Sequence, residues 1–228
     1  MKRALIVFLA AAGLSGAGTF LYLQYSLRST LEQAIGERVG TDARVGLAHI
    51  GLFPWRIQLK GIAIHNPEGF DASHFIKARD LQLRIARYSR SEKLIRSPQM
   101  SIDGMDVWVE RQGLRSNTGV IQANLRHFDR THALSRADKT KFIIRELRIR
   151  GLKAHLRLQS ASTTADIPDI VLRNVGADRG GVTIGELAGI VTQAAIRAAL
   201  RAEAAERLGR SVEERARKLE HKLGELFD

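Results

Sequence analysis

The residues with the widest chemical range in this 228-residue chain are seven histidines (positions 49, 65, 74, 127, 132, 155 and 221) and the carboxylates Asp103 and Asp106. The histidines form no metal-ligand spacing, and His127 and His132, five apart, would diverge by about 140° on a helix. Asp103 and Asp106 flank Gly104, but two carboxylates alone are weak evidence for acid/base catalysis. His65 beside a turn and His155 within a strand pattern fit hydrogen-bonded structural groups better than an acid or base. No HExxH, P-loop, GxSxG or dinucleotide fingerprint occurs. The chain has no cysteine, which excludes thiolate metal sites, disulfides and cysteine nucleophiles. No catalytic, metal or cofactor residue is expected, and the chain does not read as an enzyme.

Charge is more informative. Lys and Arg number 36 against 24 Asp and Glu, a net +12. From Glu186 to Asp228 the balance is zero and Lys2 with Arg3 supply +2, so the remaining +10 lies between Arg28 and Gly185. Arg84, Arg87, Arg90, Lys93 and Arg96 form one basic cluster; Arg148 and Arg150, alternating with Leu147 and Ile149, belong to another. A solvated face explains such clusters about as well as contact with anionic headgroups does, on the headgroup attraction known for Lys and Arg. Aromatics are only 6% of the chain, which weakens a reading by base stacking, and nucleic acid is not expected.

No charged residue occurs from Ala4 to Leu27, long enough to cross a hydrocarbon layer of about 30 Å. A cleaved signal peptide ending near Ser15–Ala17 is the competing reading. The apolar run continues past it, however, and Tyr22 and Tyr25 sit where an interfacial aromatic belt would fall. Residues 1–27 are therefore expected to be a transmembrane anchor with its N-terminus in the cytoplasm. A juxtamembrane helix over 28–40 follows, opened by Thr30-x-x-Gln33 and ended by Gly40.

Beyond it the apolar period becomes two. Three segments share a pattern: Ile57, Leu59, then Gly61, Ile62 and Ile64; Met100, Ile102, then Gly104, Met105, Val107 and Val109; Leu147, Ile149, then Gly151, Leu152, Leu156 and Leu158. In each, alternation slips by one residue at the glycine. A β-bulge at Gly61, Gly104 and Gly151 would return both halves to one face and bend the strand. The expectation is an α+β domain over 41–182, a strongly curved antiparallel sheet of about seven strands with an apolar concave face. Short helices are expected near Ser89–Ile95 and Asn117–Phe128. Asn66-Pro67-Glu68-Gly69 suits a type I turn. Over 183–228, capping boxes at Thr183-x-x-Glu186 and Ser211-x-x-Glu214 predict two C-terminal helices.

The stretch Leu59-Lys60-Gly61-Ile62-Ala63-Ile64-His65-Asn66-Pro67-Glu68-Gly69-Phe70 resembles the AsmA-like family of membrane-anchored periplasmic proteins, in which a glycine-bearing strand runs into an Asn-Pro-x-Gly-Phe turn. The pattern-level resemblance covers most of the chain, with Asn66, Pro67, Gly69 and Phe70 its most specific part. It implies a taco-like sheet, anchorage in the bacterial inner membrane with the main domain in the periplasm, and a role with envelope lipids. Seven strands make a groove of roughly 35 Å, too short to bridge an envelope. The first expectation is thus a non-catalytic protein that binds or shields phospholipid acyl chains or supports lipid homeostasis. The alternative is an assembly subunit of a membrane complex, docking a protein partner through residues 211–228.

Overall fold

A computed structural model describes residues 26–52, 54–131, 140–158 and 161–227. The anchor expected over 1–27 lies almost wholly outside them; among the described residues no helix is long and apolar enough to cross a membrane. The architecture is α+β, a strongly curled open sheet, or half-barrel, with three helices among the described residues.

Helix α1 occupies 26–39. Thr30 therefore lies inside it rather than capping its start. Gly40, with φ of 71°, ends it, donating its N–H to the Gly36 carbonyl at 2.8 Å. The chain then builds β1 (Ala43–Leu52), β2 (Trp55–His65) and β3 (His74–Arg84) as antiparallel neighbours. After β4 (Arg87–Ser89) and β5 (Leu94–Ser97) come β6 (Met100–Gln112), β7 (Arg115–Ser116) and α2 (Asn117–Thr131). The long β8 (Lys141–Leu158) leads to β9 (Ala161–Ile167), β10 (Ile170–Val175), β11 (Val182–Thr183) and α3 (Ile184–Phe227).

Four expectations need correction. The sheet is mixed, not antiparallel: β8 runs parallel to β5 and β6. Helix α2 carries the chain back to the starting end of β6, the crossover that a parallel pair requires. Both parallel ladders keep one register offset, Leu94 with Lys141 and Met100 with Leu147, so β5 and β6 form one line along β8 broken at Pro98. The helix expected near Ser89–Ile95 is instead the hairpin of β4 and β5. Its turn is closed by Glu92 N–H donating to Ser89 Oγ (3.4 Å) and by Lys93 in the left-handed region, φ 48°. The two C-terminal helices are one, because α3 continues through Gly209 and Ser211 without a break.

The fourth correction concerns the glycines. Gly61, Gly104 and Gly151 all have φ near +60°, yet none faces two residues across a ladder. The pairs on either side of them keep constant register: Val45–Ile62 and Leu47–Lys60, Lys60–Asp80 and Ile62–Ala78, Asp103–Arg150 and Met105–Leu152. Every strand slips phase at the same level, so the sheet is creased along a line through Gly46, Gly61, Arg79, Gly104 and Gly151 rather than bulged. A simultaneous slip inserts no extra residue into any ladder, as a lone bulge must. It also returns both halves of each strand to the concave face, the purpose for which a bulge was expected.

Candidate functional site

The apolar face comes first. Leu59, Ile62, Ile64, Met100, Ile102, Met105, Val107, Val109, Leu147, Ile149, Leu152 and Leu156 are all 8% exposed or less, and Ile57 is half-buried. The Leu158 side chain lies outside the described residues. These side chains form one core with Leu31, Ile35 and Val39 of α1 and Leu187, Val191, Ala195, Ile196 and Ala199 of α3. The structure thus brings the expected groove residues together and covers them with helices from the same chain.

Helix α3 enters that core for local reasons. Thr183 and Glu186 form a reciprocal capping box: Thr183 N–H donates to Glu186 Oε2 at 2.8 Å and Glu186 N–H to Thr183 Oγ1 at 3.3 Å. Its first turns carry Gly185 and Gly189, and α1 crosses there. A Cβ on Gly185 would lie 3.2 Å from the Ala34 carbonyl oxygen, and one on Gly189 2.7 Å from Arg38 Nε. Arg38, buried, pairs with Asp129 and lies over the Phe128 ring, so one side chain ties α1, α2 and α3 together.

The Asn66–Phe70 turn is held by a buried polar network. Glu110, 2% exposed, accepts from Ala72 N–H (2.7 Å), Asp71 N–H (2.8 Å) and Asn66 Nδ2 (3.3 Å). Asn117 donates from Nδ2 to Asn66 Oδ1 (3.0 Å) and to the Trp108 carbonyl (2.8 Å), while its Oδ1 accepts from Glu110 N–H (3.0 Å). Gly69 adopts φ of 86°, and Arg115 lies over the Phe70 ring. The motif residues therefore work as a structural clamp. Glu110 was not singled out in the sequence: directly after the inward-facing Val109 it occupies a position that the alternation would send outward to solvent.

On the convex face, His155 bridges Asp106 Oδ1 (2.7 Å, from Nε2) and Thr164 Oγ1 (3.1 Å, from Nδ1), its ring stacked on Trp108. A carboxylate, imidazole and hydroxyl in a line can hold or pass a proton. Here they stand on the outer surface of three neighbouring strands, where the same bonds serve as a cross-strand polar ladder.

The basic residues fall into two places. Arg148 and Arg150 are exposed on β8 but matched by carboxylates, Glu146 at 2.6 Å and Asp103 at 2.7 Å. The Arg148 hydrogen bond, against a smaller effect of burial, holds Glu146 below the usual carboxylate range, and Asp103 raises Arg150. Arg84, Arg87, Arg90, Lys93 and Arg96 are also exposed and lie together at the β4–β5 end of the sheet.

No protein-family model and no curated protein matches the chain.

Proposed function

We propose that the chain is a non-catalytic protein held at the bacterial inner membrane by residues 1–27, with its curled domain on the periplasmic side, supporting envelope lipid homeostasis by shielding acyl chains against the creased sheet. The observation that carries this reading is the continuous apolar concave face, covered by a helix rich in small residues. Ala194, Ala195, Ala198 and Ala199 of α3 offer less area per residue than leucines would, so lifting α3 forfeits less hydrophobic burial. An acyl chain would occupy the face when α3 moves away. The AsmA-like resemblance of Leu59–Phe70 supports the same reading.

Native mass spectrometry of the full chain gently extracted in detergent tests it. The expected result is a stoichiometric phospholipid adduct, retained in an Arg148→Ser control. A folded chain carrying no lipid would overturn it in favour of the second reading.

That second reading is an assembly subunit. Helix α3 spans 44 residues, about 66 Å at 1.5 Å per residue, and Leu208 is 67% exposed on the part beyond the core. Deleting residues 211–228 would then release a co-purifying protein without changing lipid content.

A further inference from the structure

We infer that the end of the sheet formed by Trp55, the β3–β4 connection and the β4–β5 hairpin is a docking surface for anionic phospholipid headgroups, and that it holds the half-barrel against the bilayer in one orientation. The inference rests on the reading of residues 1–27 as an anchor. It adds which surface meets the membrane.

Two cross-strand pairs carry it. Arg56 of β2 stands directly opposite Arg84 of β3, and Arg87 of β4 directly opposite Arg96 of β5. Like charges directly opposite one another oppose strand pairing. All four are exposed, and among the described residues no carboxylate pairs with any of them. Elsewhere on the sheet Arg150 is matched with Asp103, Arg157 with Asp71 and Arg111 with Glu203. In the described ladders no other two Lys or Arg residues stand directly opposite one another, and an external anion would relieve the repulsion at this end.

The four arginines are contiguous. Ile85 N–H donates to the Trp55 carbonyl at 2.9 Å and Ala86 N–H to the Arg96 carbonyl at 3.0 Å, linking the hairpin tip of β1 and β2 to the hairpin of β4 and β5. Trp55 and Tyr88, 42% and 41% exposed, stand among them. Amphipathic aromatics beside arginines match the headgroup layer, where the rings sit at the hydrocarbon boundary and the cations meet phosphates.

The chain path agrees. Gly36 lies beside Thr41 and Ala43, and Glu32 accepts from Val45 N–H, so α1 runs antiparallel to β1. Tracing α1 backwards from Glu32 to Arg28 leads toward the Trp55 end, and the uncharged run of 4–27 continues from there. The opposite end carries the Asn66 clamp and matched ion pairs.

Reconstitution of the full chain in nanodiscs tests the surface. The chain has two tryptophans, so Trp108→Phe leaves Trp55 as the sole reporter. Discs of phosphatidylcholine, with and without phosphatidylglycerol, carry bromine on the acyl chains near the headgroup. The expected result is stronger quenching of Trp55 in the anionic discs, a difference that shrinks with salt and disappears in Arg87→Glu/Arg96→Glu with an unchanged circular dichroism spectrum. Equal quenching in both discs, in a chain that co-elutes with them, overturns the docking surface and leaves the anchor standing. Failure to co-elute with either disc overturns both. Abolition of the anionic-disc effect by a single-stranded oligonucleotide, with tighter binding than to the lipid, also overturns the assignment and makes the surface a nucleic-acid site.

Discussion

Gly104 and Gly151 face each other across the parallel pair of β6 and β8, each with φ near +60°, and a Cβ on Gly151 would lie 3.7 Å from the Gly104 nitrogen. The crease runs through both. Their separation in sequence, 47 residues, equals the register offset of the two strands, so the repeat visible in the chain is the pairing itself.

Left-handed backbone costs an L-residue about 1–2 kcal/mol, so Gly151→Ala should lower stability by about that amount and Gly151→Asn by less. Gly104→Ala adds a contact of 3.0 Å to the Arg79 guanidinium, which is flexible enough to move aside. In the double variant the Gly104 methyl leans toward Arg79 and the Gly151 methyl toward the Gly104 backbone, so the two do not meet and the losses should add. Chemical denaturation midpoints check both statements.

Glu110→Gln keeps the shape of the clamp but replaces one carboxylate oxygen: with Oε1 kept for Ala72 and Asn66, the amide N–H₂ faces the Asp71 N–H. Leaving a buried donor unmet costs about 1–3 kcal/mol. The expected signature is local: hydrogen exchange at Asp71 accelerates more than exchange in β8.

Arg38 is a buried charge whose Nε has no hydrogen-bond partner among the described residues. Replacing a buried ion with an apolar group of similar volume is often close to neutral, whereas truncation leaves a hole. Arg38→Met should therefore stay within about 1 kcal/mol of the parent, and Arg38→Ala should lose about 2 kcal/mol or more. Gly189→Ala, which drives a methyl into Arg38, should destabilise the parent and be tolerated beside Arg38→Ala. A double-mutant cycle measures that coupling.

Glu32 and His74 are two of the groups that make the fold acid-sensitive. Burial works to raise the Glu32 carboxyl, but the Val45 N–H, Arg28 and Arg44 outweigh it and hold its pKa below the ordinary value of 4.5. His74 lies below its ordinary 6.5, first through burial and then through Lys77 and His65. Both bind fewer protons folded than unfolded, so stability rises with pH across each window. The His74 contribution is complete above 6.5 and lost as pH falls through its lowered folded pKa; the Glu32 contribution is complete above 4.5 and lost below it in the same way. Thermal midpoints should fall in two stages on acidification, and His74→Gln should remove the first.

Much of this fold was legible because burial imposes a period on the chain. The alternation around Gly61, Gly104 and Gly151 announced the strands, their inward face and the slip, and Thr183-x-x-Glu186 announced the start of α3. Strand direction was not legible, since Leu147–Leu158 alternates identically beside a parallel or an antiparallel neighbour. Nor was the turn of Ser89–Leu94, whose polar residues suit a helix end as well as a hairpin. The clamp was half visible: the Asn66–Phe70 turn stood out, while the acceptor that holds it, Glu110, is 38 residues or more from the amides it binds and shares no local pattern with them. The opposed arginines at the β4–β5 end emerge only once register is known.

The position of β8 governs how the molecule must be made. Strands β1, β2 and β3 can zip up as each leaves the ribosome, but the outer edge of β6 stays open until residues 141–158 arrive from beyond α2. Such late, distant pairing slows folding and invites exchange of the missing strand between two nascent copies. The chain carries a selector against the wrong alignment: Asp103 meets Arg150 and Asp106 meets Lys153 in the native register. A strand arriving out of step would set those carboxylates against the apolar positions between the cations, so the ladder of opposite charges proofreads the last large addition to the sheet.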